Sequence, residues 1–128
     1  MIGPSMTPKV LIINSNIESK CHIGPHLRKA AFRVVEAEWE SGAMKLLANS
    51  DFDVVILWLQ GLGQEGLTLI RIIQGISPTT RIITLNSPQK MNLSIEAMRL
   101  GVYDDFLIPF ELDALIASVR RACRERAG

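Results

Sequence analysis

Asp53-Val54-Val55-Ile56-Leu57-Trp58-Leu59 is a nearly unbroken apolar run near the middle of the chain, closed by the loop Gln60-Gly61-Leu62-Gly63. It has the length of a strand, is rich in branched side chains and lacks polar alternation. It therefore reads as a central strand packed on both faces, the habit of parallel sheets. Upstream, Lys9-Val10-Leu11-Ile12-Ile13 is a run of the same kind that stops at Asn14-Ser15-Asn16, and Phe32-Arg33-Val34-Val35-Glu36-Ala37 reads as another strand. Downstream, Arg81-Ile82-Ile83-Thr84-Leu85 and the segment Tyr103 to Leu107 supply two more.

The segments between these strands are helical in pattern. Ile17 to Ala31 is the first, with Gly24-Pro25 in its middle expected to weaken or kink it. Ser41 is placed to cap a short helix carrying Ala43, Leu46 and Leu47 on one face. A third helix runs from about Gln64 to Gly75 and ends before Ser77-Pro78; a fourth, Met91 to Leu100, stops at Gly101. In the last, Leu112, Leu115, Ile116, Val119 and Cys123 recur at helical spacing opposite Asp113, Arg120, Arg121 and Arg124. Five strands alternating with five helices imply right-handed crossovers and a parallel sheet between two helix layers, a three-layer α/β sandwich.

A length of 128 residues suits one domain able to bury most of its apolar surface without disulfides or metals. Hydrophobic residues at 48% and charged residues at 21% give an ordinary globular balance. The net charge of +1 provides no global field toward nucleic acid, membrane or an acidic substrate. Aromatics at 5% leave little for base stacking. No apolar run reaches membrane-spanning length, and Met1-Ile2-Gly3-Pro4-Ser5-Met6 is too short and uncharged for a secretory signal. Residues 1–8 are read as a disordered leader, 9–127 as the domain, and the cytoplasm as the location. Cys21 and Cys123 fall in different helices and are expected to stay reduced.

Glu96-Ala97-Met98-Arg99-Leu100-Gly101-Val102-Tyr103-Asp104-Asp105, followed by Pro109-Phe110-Glu111-Leu112, resembles a specific passage of the receiver domain of bacterial two-component response regulators. Asp53-Val54-Val55-Ile56-Leu57 followed by Glu65-Gly66-Leu67 is similar to a second block of that family, and the likeness runs from about Lys9 to Arg126. The resemblance implies a flavodoxin-like fold with strand order 2-1-3-4-5 and a site at the carboxyl ends of the strands.

It also implies a chemistry: an aspartate takes the phosphoryl group, two acidic groups hold Mg²⁺, and a hydroxyl and a lysine bind the phosphoryl oxygens. Carried over by position, the acidic pair falls on Asn14 and Ser15, neutral groups with poor affinity for a hard cation. The phosphoacceptor falls on Trp58, whose indole has no nucleophilic oxygen. The methionine-proline of the next loop becomes Gly61-Leu62, the hydroxyl becomes Asn86 with Ser87 after it, and the lysine becomes Ile108 before a retained Pro109. Asp105, beside Phe106, stands at the aromatic switch position. Nucleophile, metal ligands and anion clamp are all missing, so a degenerate pseudo-receiver is expected, with no catalytic residue, no metal and no cofactor.

Other signals are weaker. Cys21, His22 and His26 have partial zinc spacing, broken by Gly24-Pro25, and read as surface residues. Gly61-Leu62-Gly63 lacks the lysine and glycine spacing of a phosphate cradle. Asp51 and Asp53 are not at the carboxyl end of their strand, which disfavours either as a substitute phosphoacceptor. The arginine-rich end of the last helix is explained by the helix dipole and solvation, and direct DNA contact is not expected of it.

The fourth helix carries two apolar stripes, Met91-Ile95-Met98 and Leu93-Ala97-Leu100, one more than a single sheet contact needs. The resemblance implies that the fourth helix, fifth strand and last helix form the output surface, and the extra stripe fits that expectation for a protein partner or a homodimer. Met91, Ile95 and Met98 would supply apolar contact, with Asp104, Asp105, Arg120, Arg121 and Arg124 as complementary charges. The alternatives are a small-ligand sensor with a site near Trp58, and the receiver part of a longer DNA-binding transcriptional regulator.

Overall fold

The apolar run that opened the sequence reading forms β3 (Val54–Trp58), and every one of its residues is buried. In the computed structural model, which describes residues 7–14, 23–38, 42–59 and 62–127, β3 lies between β1 (Lys9–Asn14) and β4 (Arg81–Asn86). The edges of the sheet are β2 (Arg33–Glu38) and β5 (Asp104–Leu107). The order is β2-β1-β3-β4-β5 with every pairing parallel, the expected flavodoxin-like arrangement.

The helices between them are α1 (Ile23–Lys29), α2 (Met44–Asn49), α3 (Gln64–Ile76), α4 (Met91–Arg99) and α5 (Leu112–Ala127). Because side chains alternate along a strand, the buried sheet sorts its residues to two faces. Val54, Ile56 and Trp58 join Ile23 and Leu27 of α1 and Leu115, Val119 and Ala122 of α5 in one core. Val55, Leu57 and Leu59 join Ala43 and Leu47 of α2, Leu69, Ile70 and Ile73 of α3, and Leu93 and Ala97 of α4 in the other. The three-layer sandwich follows directly from this two-sided burial.

Several boundaries differ from the sequence reading. β2 is shifted one residue on, leaving Phe32 to plug the core just before the strand begins. α2 has Ala43 at its N-cap and no capping side chain; Ser41 lies outside the described residues, as do residues 17–22 of the expected first helix. The Gly24-Pro25 pair lies within the first turn of the described part of this helix. A 3-10 turn, Pro88–Lys90, precedes α4. Gly101, with φ at +98°, takes the left-handed position just past the C-cap of α4, which the sequence marks correctly.

Candidate functional site

Because all five strands run the same way, their carboxyl ends open on one edge of the sheet, where Asn14, Trp58, Asn86 and Ile108 terminate or follow β1, β3, β4 and β5. Trp58 is only 4% exposed and belongs to the α1–α5 core with Ile12, Ile56 and Leu85; Ile108 packs against the same cluster. An indole and an aliphatic chain thus stand at or just past the carboxyl ends of β3 and β5. Asn14 pairs with Glu38 in the strand register, while its side chain and the whole of Ser15 lie outside the described residues.

Asn86 is polar yet completely buried. Its Nδ2 donates to the Lys90 carbonyl at 2.8 Å and to Ser94 Oγ at 2.9 Å, and its backbone carbonyl accepts from the amide of Ile108 at 2.8 Å. Among the described residues its Oδ1, also buried, has no hydrogen-bond partner. Two residues back along β4, buried Thr84 donates its hydroxyl to Asp105 Oδ1, and Ser118 of α5 donates to Asp104 Oδ2 at 2.8 Å. The two aspartates therefore face opposite helix layers, both half-buried and both holding hydrogen bonds within the chain.

The substitute carboxylates lie at the wrong end. Asp53 sits before β3, where its Oδ2 accepts from the backbone amide of Lys9 at 2.8 Å, and Asp51 is exposed nearby. Among the described residues no group of three or more His, Cys, Asp or Glu side chains is placed to hold a metal ion. Cys21 and His22 lie outside the described residues; His26 is exposed on α1. No described helix is long and apolar enough to cross a membrane.

The two stripes of α4 separate cleanly. Leu93 and Ala97 turn to the sheet at 3% and 0% exposure, while Met91, Ile95 and Met98 stand outward at 44%, 50% and 47%. Arg120 does not stand beside the fifth strand. Its Nη2 donates to the Ala30 carbonyl at 3.0 Å and its guanidinium lies 5.5 Å from the centre of the Phe32 ring, which turns it toward α1. Arg121 and Arg124 are exposed and, with Asp113 and Ile116, line a shallow groove along the outside of α5.

The buried hydroxyls of Thr84, Ser94 and Ser118 escaped the sequence reading. The signal was present: each is a small polar residue at a position where the strand or helix period demands an apolar one. What the sequence could not supply was the partner, which is set by cross-strand register and helix docking.

Relatives place this frame. A response regulator of Thermotoga maritima superposes with a TM-score of 0.79 at 29% identity, over 92% of this chain and 98% of its own. An NtrX-like response regulator of Rickettsia bellii is 29% identical over 116 residues, 89% of this chain and 24% of its own length. The C4-dicarboxylate transport transcriptional regulatory protein DctD of Rhizobium meliloti is 27% identical over 122 residues, 95% of this chain and 26% of its own. The chain spans about a quarter of the length of these curated relatives. Residues 10–120 match the response regulator receiver domain family, and the chain belongs to that family.

Proposed function

We propose that this receiver domain works in two-component signalling through protein–protein contact, without aspartyl phosphorylation. The observation that carries the reading is Trp58, buried to 4% exposure at the carboxyl end of the central strand. A phosphoacceptor must present an oxygen nucleophile in line with the incoming phosphorus, and indole has none. Ile108 in place of a lysine, and Asn86 with its amide protons already engaged, support the same reading. The exposed Met91, Ile95 and Met98 are the natural contact surface, since outward apolar residues grouped on one helix face favour a partner. Cytoplasmic location is part of the proposal.

The test is intact mass of the purified domain after incubation with acetyl phosphate and Mg²⁺. No adduct is expected. A stoichiometric acid-labile gain of one phosphoryl group would overturn the reading.

A second reading has an observation behind it: the relatives are about four times longer, and one is named a transcriptional regulatory protein. Under it, the α4 face would meet an output domain of the same polypeptide. Self-association of the domain on its own would favour the first reading.

A further inference from the structure

Asn86 ends β4 beneath the turn that leads into α4. Its two amide protons both reach that turn and helix, one to the Lys90 carbonyl and one to Ser94 Oγ. A carbonyl only accepts, so the amide is held in one orientation, and this leaves Oδ1 on the side where no donor stands. A serine or threonine at position 86 has a single proton and would hold one of these acceptors, not both. Ser94 is itself buried, so the bond lies out of competition with water.

Leu93 and Ala97 pack α4 on the sheet by apolar contact, which has no directional preference, and the bond from Gln74 Nε2 to the Leu100 carbonyl at 2.7 Å holds only the far end of the helix. The position of the helix start is therefore fixed by the amide. On the same face of the sheet, the bond from Thr84 to Asp105 ties β4 to β5. Resting on the non-phosphorylating reading above, we infer that Asn86 is a permanent clamp on α4. It holds the start of α4, with the Met91, Ile95 and Met98 face, in one position on the sheet with no input signal.

Hydrogen exchange tests this, because local opening of α4 raises exchange there alone. Amides in 91–99 are compared with those of α3 in the full chain for wild type, Asn86→Ala and Ser94→Ala. Asn86→Ala is expected to speed α4 exchange by about tenfold or more, and Ser94→Ala by a smaller factor, with α3 unchanged. If Asn86→Ala fails to fold, Ser94→Ala decides alone. Exchange in α4 that stays at the wild-type rate, or that rises equally in α3, would overturn the clamp. Intact mass after acetyl phosphate reads phosphorylation separately. An adduct together with loosening of α4 in the variants would remove the functional reading and keep the local restraint. No adduct together with unmoved exchange would do the reverse.

Discussion

Thr84 and Asp105 stand opposite one another across the β4–β5 ladder, the buried hydroxyl donating to the half-buried carboxylate at 2.5 Å. Asp105 occupies the position that in the family resemblance carries an aromatic side chain. An aromatic ring there is free to take an inward or an outward rotamer; a carboxylate bonded to a neighbouring strand is not. With Asp104 bonded to Ser118 on the other face, β5 is stitched to β4 and to α5 by charge-assisted hydrogen bonds.

Thr84→Val tests the weight of that pairing, since it keeps the shape and removes the donor. The expected loss of stability is about 0.5–1.5 kcal/mol, the net range for a hydrogen bond whose acceptor, here half-buried, can turn to water. Urea denaturation of Thr84→Val, Asp105→Ala and the double variant measures it. Additive losses would mean that the two side chains do not couple.

Restoring one carboxylate is not expected to restore the chemistry. Trp58→Asp removes a large buried side chain and places a charge within the α1–α5 core, at a cost of about 3 kcal/mol or more. On the proposed reading the metal ligands and the lysine would still be missing, with Asn14, Ser15 and Ile108 at their positions. Denaturation should show a marked fall in midpoint, and mass analysis with acetyl phosphate and Mg²⁺ should show no adduct. Mg²⁺-dependent phosphorylation of this single variant would mean that the site is lost at only one position.

The fold was legible because its signals are local. The apolar run of β3 announces two-sided burial, and Gly101 announces the end of α4. The proposed loss of the phosphoacceptor is likewise read from the sequence, since it rests on the indole of Trp58 having no nucleophilic oxygen. Directions were not. Periodicity gave α4 two equivalent stripes, and only docking on the sheet chose Leu93 and Ala97 for the interior. Asp104, Asp105 and Arg120 looked like free surface charges because their partners, Ser118, Thr84 and Ala30, lie 14, 21 and 90 residues away in sequence.

The position of Arg120 makes a prediction of its own. Both Arg120 and Arg121 are exposed on α5, but the hydrogen bond of Arg120 to Ala30 and its cation over Phe32 join the helix to the end of α1. Arg120→Ala should lower stability by roughly 0.5–1 kcal/mol, and Arg121→Ala by less than about 0.5 kcal/mol. Thermal unfolding of the two variants side by side decides it. Equal effects would mean that the contact with α1 contributes nothing net.

The outward stripe of α4 sets the last expectation. Met91 and Ile95 are about half exposed, so replacing both with lysine removes little buried area and should change stability by less than about 1 kcal/mol. The same change places two ammonium groups in the centre of the proposed contact, where a charge without a partner opposes burial. If α4 carries the interface, Met91→Lys with Ile95→Lys should weaken self-association or partner binding by about tenfold or more while the circular dichroism spectrum is unchanged. Arg121→Glu with Arg124→Glu is the control on the neighbouring helix: charges at the rim shift salt dependence and association rate more than affinity. Sedimentation of wild type and both variants over a range of concentration and salt separates the cases. Affinity that falls with the arginine changes and survives the lysine changes would move the contact from α4 to the outer groove of α5.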